Sequence, residues 1–361
     1  MKPFLHSVVP LKLLFFLLFI YYKDVHAQGV VRVEPGTTLK VTGAQFVLSD
    51  FGMTNLGTVD MEQHALLKLS GSAARNFTGH TFDLDKLEIA MTPGSPLLLQ
   101  TDLNILSDVV LTSGYIDLGD AHILLNENSL LTGQSENTFI TTNGDGYVQI
   151  MQSLDAPDAV NPGNLGLTLS SPANLQLTTV RLGFKEQVNH NGKHSILRNY
   201  SVITGVNGNV KGTIQFRYLD RELNGLREAS LTLWDNNSNN NNWSELGHDL
   251  HNTIANVITR GNIKKFSSYT LFPSRSQGVR VYPNPTSNFV FIELDGHFEG
   301  PVSVFIYDAA GNLVQTVSMN SFKGRLAPLV NVTNLSPGAY NVKIVSSNAT
   351  LTTTFIKSPN R

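Results

Sequence analysis

Short runs in which apolar and polar residues alternate cover residues 29–135, with Gly or Asn between successive runs. Leu67-Lys68-Leu69 and Leu103-Asn104-Ile105 are examples. A period of two places the apolar side chains on one face of a β-strand, whereas an amphipathic helix needs a period near 3.6. The pattern therefore predicts many short β-strands without helices between them.

Loosely recurring phrases connect these strands, such as Asn55–Val59 and Thr112–Leu118. Repeated strand-and-Gly units are typical of a β-solenoid, in which the strands of each coil stack on those of the coil before. We therefore predict an N-terminal β-solenoid, similar to a parallel β-helix, for residues 28–152. The period is irregular, so a β-sandwich is the alternative for residues 29–135.

The end of this range carries a turn signal. Thr138–Thr142 and Tyr147–Met151 flank Asn143–Gly146, and Asn-Gly favours the tight turn of a β-hairpin. We predict a hairpin here, followed by a linker or long loop over Ser153–Asn164.

The runs become longer between residues 165 and 272, and about seven of them fit an antiparallel β-sandwich. Ile214, Phe216 and Tyr218 share one strand face. We assign residues 153–273 to this β-sandwich domain and residues 274–278 to a linker.

Residues 279–361 form a last group of short alternating runs. Pro283 and Pro285 fix φ and withhold an N–H, so they precede a strand, and Gly311 supplies the positive φ of a turn. These features predict a small antiparallel sandwich with an Ig-like fold.

The order of the motifs in this group resembles the C-terminal sorting domain of the type IX (Por) secretion system. The matching residues are Pro283, Asn284 and Pro285, then Asp308 and Gly311, then Leu335, Gly338 and Tyr340, and last Lys357. The tail from Ser358 to Arg361 departs from the family pattern, because it continues past the usual closing lysine. Phe216–Gly225 also resembles part of an uncharacterised β-domain that precedes such sorting domains and has no known activity.

This resemblance implies export through the type IX machinery at the outer membrane of a Gram-negative bacterium. It also implies that the tail is a folded recognition signal, which is usually removed after export. The body is then released or attached to surface lipopolysaccharide.

The N-terminus has the features of a secretory signal peptide over residues 1–27. Lys2 and Lys12 supply positive charge, and an apolar run of ten residues follows, which is too short to span a bilayer well. Ala27 is a small residue at the usual position before a signal-peptide cleavage site, so we expect cleavage between Ala27 and Gln28. This signal would take the chain to the periplasm first.

Composition excludes several functions. A formal net charge of −2 argues against nucleic acid as a partner. The chain has no cysteine, which excludes disulfides, thiol catalysis and cysteine-ligated zinc. No nucleophile elbow, phosphate-binding loop or dinucleotide fingerprint is present. We therefore expect a protein that is not an enzyme and uses no cofactor.

Isolated residues offer weaker candidates for binding. For metals these are the pairs His190 with His194 and His248 with His251, and for weak Ca²⁺ binding Asp117, Asp120 and Asp145. For stacking on a glycan they are Tyr115, Tyr147, Trp234 and Trp243. Each residue also fits a purely structural role.

Together these features predict a secreted or cell-surface, non-enzymatic protein. Its body would be an adhesion, binding or structural module with a glycan or matrix ligand. The alternative is a polysaccharide lyase or glycosidase on the solenoid, which would need converging carboxylates.

Overall fold

A computed structural model describes residues 29–206, 208–236, 242–274, 279–294, 301–320, 330–345 and 350–359. The predicted signal peptide, with Ala27 and Gln28, lies outside the described residues, as does the predicted linker beyond Ser274. Regular structure is almost entirely β, as predicted, with short 3₁₀ helices at Pro162–Asn164, Asp220–Glu222 and Glu228–Ser230. Among the described residues, no helix is long and apolar enough to cross a membrane.

The first fourteen strands build a β-solenoid. They are β1 (Gly29–Val33), β2 (Thr38–Thr42), β3 (Gln45–Ser49), β4 (Phe51–Asn55), β5 (Thr58–Gly71), β6 (Arg75–Gly79), β7 (Phe82–Met91), β8 (Pro96–Leu99), β9 (Leu103–Ser113), β10 (Tyr115–Asp117), β11 (Ile123–Leu125), β12 (Leu130–Thr132), β13 (Phe139–Thr141) and β14 (Tyr147–Asp155). One face is the parallel sheet β1-β4-β6-β8-β10-β13, and a second is the parallel row β2-β5-β7-β9-β11-β14. The second halves of β5 and β9 pair with β3 and β12 and so form a third face.

The alternation of apolar and polar residues produces this arrangement directly. Alternate side chains of each strand enter the interior, where Met53, Phe77, Leu87 and Ile116 are fully buried. Partners in successive coils lie between 19 and 25 residues apart in the chain. This variation explains why the repeat is ragged in the sequence. The solenoid prediction is confirmed over the sandwich alternative.

The predicted hairpin at Asn143–Gly146 is wrong. Strand β13 pairs in parallel with β10, and β14 pairs in parallel with β11, so the two strands lie on different faces of the solenoid. The turn bonds to the preceding coil: the Asp145 N–H donates to Asp120 Oδ1 at 3.0 Å, and the Gly146 N–H donates to the Gly119 carbonyl at 2.9 Å. Asn-Gly here marks a corner between faces.

The middle strands are antiparallel, as predicted. They are β15 (Leu167–Ser170), β16 (Asn174–Gly183), β17 (Asn199–Ile203), β18 (Gly212–Arg217), β19 (Leu231–Asn236), β20 (Ser244–Gly247), β21 (Leu250–Asn252), β22 (Val257–Ile263) and β23 (Ser268–Pro273). The second solenoid face continues without interruption through β14-β16-β17-β23-β19-β20, while β15-β18-β22-β21 form a separate sheet. Strand β14 thus joins a parallel neighbour to an antiparallel one.

One hydrophobic core runs through the solenoid and the middle strands, from Val33 in the first coil to Leu271 in β23. The long sheet crosses the predicted boundary between residues 152 and 153, because β14 itself spans it. That the middle strands form a sandwich domain of their own stays a prediction.

The C-terminal unit contains β24 (Val279–Tyr282), β25 (Phe289–Leu294), β26 (Pro301–Tyr307), β27 (Leu313–Asn320), β28 (Val330–Asn331), β29 (Gly338–Val345) and β30 (Thr350–Lys357). These strands form one sheet β24-β25-β28 and another β27-β26-β29-β30. A separate core that includes Val290, Val304 and Ile344 lies within this unit. Its Ig-like topology stays a prediction.

Candidate functional site

The Pro-Asn-Pro segment of the C-terminal unit is tied to the last strand. Asn284 Oδ1 accepts the Ile356 backbone N–H at 2.9 Å. The Thr286 N–H donates to the Ile356 carbonyl at 2.9 Å, and the Ser358 N–H donates to the Thr286 carbonyl at 2.7 Å. The peptide bonds before Pro283 and Pro285 are both cis. The first and last motif pieces therefore form one hydrogen-bonded structure.

The closing lysine lies beside the Gly-x-Tyr piece. Lys357 pairs with Gly338 across the antiparallel strands β29 and β30. Only 2% of Lys357 is exposed, and its Nζ donates to the Ser358 carbonyl at 2.8 Å. Tyr340 stacks on Phe355 with ring centroids 5.4 Å apart, and its hydroxyl donates to the Ser336 carbonyl at 2.7 Å.

The Asp308–Gly311 turn is organised by one carboxylate. Asp308 Oδ1 accepts the backbone N–H groups of Ala310 and Asn312, each at 2.9 Å, and Oδ2 accepts Asn312 Nδ2 at 3.0 Å. These hydrogen bonds, that of the Asn312 side chain first, hold the pKa of Asp308 below its usual value. Gly311 has φ +86°, which favours glycine there.

Strand register brings all four motif pieces to one end of the β27-β26-β29-β30 sheet. Tyr307, just before the Asp308 turn, pairs with Asn341, just after Tyr340. Lys357 pairs at the same end of β29, and Leu335 packs against the core just before that strand. Residues far apart in the sequence therefore meet at one end of this sheet, where Lys357 and Tyr340 are buried.

Thr286 belongs to this site but was not predicted from the sequence. It is 4% exposed, and its hydroxyl donates to the Phe289 carbonyl at 2.6 Å. Its position directly after Pro285 was the available signal, because a hydroxyl beside a proline turn often bonds nearby backbone.

The candidate glycan-stacking aromatics of the body lack free ring faces. Trp234 and Trp243 are buried around Phe272. The ring centroids of Tyr147 and His122 are 3.7 Å apart, and the Arg181 guanidinium lies 4.8 Å from the Tyr147 ring centroid. His122 directly precedes β11 and Arg181 lies in β16, the two strands that flank β14 on opposite sides.

Tyr115 is covered in a similar way. It stacks on Phe139 at 4.7 Å between centroids and has Pro96 as its register partner on the other neighbouring strand. Stacking on a sugar needs an open ring face, so neither tyrosine is placed for it.

The candidate metal ligands other than His190 are engaged with protein groups, including His248 with Thr232 and Asp120 with the Asp145 backbone N–H. His194 pairs with Glu186 at 3.1 Å, and His251 Nε2 lies 2.8 Å from the Tyr218 hydroxyl. Asp117 accepts Asn143 Nδ2 at 3.0 Å, and Asp145 pairs with Lys185 at 2.7 Å. Within the described residues, no group of three or more His, Asp or Glu side chains could hold a metal ion.

Carboxylates on the solenoid faces are paired between neighbouring coils. The pairs with a cation are Lys40–Asp60 at 2.8 Å, Lys68–Glu88 at 2.9 Å and Lys86–Asp108 at 3.3 Å. Asn104 Nδ2 donates to Asp83 at 2.7 Å in the same manner. These ladders connect one coil to the next.

A buried ion pair lies where the last coils meet the middle strands. Arg198 and Glu222 are 3% and 4% exposed, respectively. Arg198 Nε and Nη2 donate to the two Glu222 oxygens at 2.7 and 2.8 Å, and Nη1 reaches the Leu165 carbonyl and the Tyr200 hydroxyl. Burial lowers the pKa of Arg198, but the attraction of the Glu222 carboxylate and the hydrogen bonds to it raise that pKa by more. The net pKa is above the ordinary value of arginine, so the guanidinium stays charged.

A cavity of about 230 Å³ opens above this pair. Its lining includes Arg198, Gln134 just after β12, Asn161 just before the first 3₁₀ helix, Asn164 at the end of that helix, and Arg217 at the end of β18. Arg217 is an exposed residue, and its guanidinium has no hydrogen bond or ion pair to the residues that the structure describes, whereas its backbone N–H donates to the Gly166 carbonyl. Sequence reasoning missed this site, since its residues come from four separate segments.

The fold and the motif cluster define an all-β protein that carries a separate C-terminal recognition unit. Residues 280–358 match the family model described as "Secretion system C-terminal sorting domain". This match spans every motif residue from Pro283 to Lys357, so the unit is a sorting domain of that family. The chain is therefore a secreted protein that interacts with the type IX secretion machinery. No curated protein matches the chain.

Proposed function

We propose that the exported body is a non-enzymatic binding module displayed at the cell surface, and that it takes its ligand in the cavity beside Arg217. The unpaired guanidinium at the mouth of a polar cavity is the observation that carries this proposal. A carboxylate that reaches an exposed arginine exchanges its water contacts for charge-assisted hydrogen bonds. Arg217 is thus poised for a partner from outside the chain.

The lining favours a sugar that carries a carboxylate. A guanidinium binds a carboxylate through two parallel hydrogen bonds. Gln134 Oε1 accepts Arg198 Nη2 at 3.2 Å, which leaves its amide N–H₂ to meet a hydroxyl. The cavity is smaller than those that hold drug-sized ligands, so it suits a single hexuronate unit of a longer glycan.

The paired carboxylates of the coil faces support a binding role over the alternative of a polysaccharide lyase or glycosidase. Glycosidases need two carboxyl groups facing each other across the substrate. Here Asp60, Glu88 and Asp108 are each bound to a lysine of a neighbouring coil.

Titration calorimetry of the full chain with glucuronate and with glucose tests this function. We expect glucuronate alone to bind, and Arg217→Gln to weaken that binding at least about tenfold through loss of charge-assisted hydrogen bonds. Arg32→Gln is the matched control, because Arg32 is an exposed arginine in the first coil. Equal binding of glucose, or no binding at all, would contradict the proposed ligand.

Incubation with a panel of polyuronates separates binding from catalysis. We expect retention of the polymers without release of shorter products. Release of shorter products, together with loss of that release in Asp→Ala variants of the coil faces, would establish the enzyme alternative instead.

We also infer that the signal peptide and the sorting tail are removed, and that the body is then released or attached to lipopolysaccharide. Intact-mass measurement of protein from the medium and the cell surface checks this. The expected species begins at Gln28 and ends near residue 275, with an added mass if lipopolysaccharide is attached. A full-length surface species would contradict removal of the tail.

A further inference from the structure

The outer face of the β24-β25-β28 sheet exposes three aromatic side chains. Tyr282, Phe289 and Phe291 are 44%, 38% and 41% exposed. Phe289 and Phe291 share one face of β25, and Tyr282 pairs directly with Phe291. The Tyr282 and Phe291 rings stack with centroids 5.5 Å apart. These three residues are named the aromatic patch.

The patch does not contribute to the core of its own unit. The alternate residues Val290 and Ile292 face inward and are almost fully buried. Clustered exposed aromatics are uncommon on a soluble surface and often mark a contact with another molecule. Tyr and Phe are also enriched at the centres of protein interfaces.

The patch is continuous with the sorting motif. Tyr282 directly precedes Pro283, and the Phe289 carbonyl accepts the hydroxyl of Thr286 at 2.6 Å. Thr286 in turn bonds the strand that ends in Lys357. The patch and the motif cluster are thus held in a fixed relation.

We propose that the aromatic patch is the surface by which the sorting domain docks onto a protein of the type IX export machinery. The domain family already requires such a partner, and the patch adjoins the motif by which the family is recognised. The partner should present an apolar groove that fits the three rings. This inference rests on the sorting function of the tail and is independent of the glycan-binding proposal.

Export of the full chain in its native host tests the proposal. Phe289→Thr with Phe291→Thr keeps β-propensity while removing both rings. We expect this variant to accumulate in the periplasm, with export at least about tenfold below the unchanged chain. Leu177→Thr with Ile203→Thr is the control, because both residues are exposed strand positions of the body, and we expect its export to be unchanged.

Two further variants keep the result interpretable. Tyr282→Thr lies outside β25 and should reduce export in the same direction if docking, rather than folding of β25, is affected. Resistance of each purified full chain to protease confirms that it is folded. Deletion of residues 279–361 should abolish export.

Normal export of the folded patch variants alongside blocked export of the deletion would overturn the docking surface but not the sorting function. Export of the deletion would overturn the sorting function itself. If the unchanged chain is a dimer, and the patch variants are monomers that are exported normally, the patch binds a second copy and the proposal is wrong.

Discussion

The Arg198–Glu222 pair shows how a single buried contact joins distant parts of the body. Arg198→Ala leaves the Glu222 carboxylate buried without its partner, so we expect a loss of about 3–5 kcal/mol in the free energy of unfolding. Urea unfolding measures this loss. Arg260→Ala, which breaks a half-exposed pair with Asp249, should cost no more than about 1 kcal/mol.

Replacement of both partners provides the decisive comparison. Arg198→Met with Glu222→Met removes both charges together, so it should destabilise the protein much less than Arg198→Ala. A double variant as unstable as the single one would mean that the pair acts through packing rather than charge.

Asp308 gives the sorting motif a defined response to pH. Its pKa lies below the ordinary value of 3.8 because the folded turn bonds the ionised form. The stabilisation is therefore present at pH above that ordinary value and is lost as the pH falls through the folded pKa. Titration of the Asp308 carboxyl carbon by NMR should show the lowered pKa. A pKa at or above 3.8 would contradict the hydrogen-bonded turn.

At the scale of elements, the close stacking of coils depends on particular glycines. Gly133 and Gly94 both have φ +84°, but a Cβ at Gly133 would overlap the Leu111 carbonyl oxygen, whereas one at Gly94 would meet nothing within 4 Å. Gly94→Ala should cost about 1–2 kcal/mol for the backbone conformation alone. Gly133→Ala should cost roughly 1–3 kcal/mol more for the overlap, as thermal or urea unfolding would show. Equal costs would mean that the coils relax around the added methyl group.

The elements themselves were largely predictable, because a period of two is a local signal. Leu67-Lys68-Leu69 and Leu103-Asn104-Ile105 both lie in strands. The corner at Asn143–Gly146 was mispredicted because a hairpin and a solenoid corner use the same residues. What distinguishes them is the preceding coil, which supplies Asp120 and Gly119 as partners.

The motif cluster was predictable only as a set of residues. Pro283 and Lys357 could be named from the sequence, but their meeting through Thr286 and β30 depends on strand register. The cavity at Arg217 had no sequence signal at all, because a free arginine looks the same as a paired one. Likewise, the alternation of apolar and polar residues along a strand does not predict that Trp234 is buried and Phe291 is exposed.

At the scale of the whole molecule, the body and the C-terminal unit have no hydrophobic cluster in common among the described residues, which predicts two unfolding transitions. The solenoid and middle strands share one core, and the C-terminal unit has its own. In calorimetry, Ile344→Ala should destabilise only the smaller transition, by about 2–5 kcal/mol, whereas Arg198→Ala should shift only the larger one. Movement of both transitions with either change would show that the units unfold together.

The number of stacked coils also determines the length of the solenoid. Neighbouring strands lie about 4.8 Å apart, so the six strands of the first face span about 24 Å from β1 to β13. The residues that line the cavity at Arg217 begin at Leu131 and the sorting domain begins at residue 280, so both follow β8, the fourth strand of the first face, along the chain. A chain with one coil more or fewer would therefore keep both sites and move its first coil by one strand spacing. The number of coils therefore sets the length of the solenoid, and this length can change without changing the residues of the cavity or of the sorting domain.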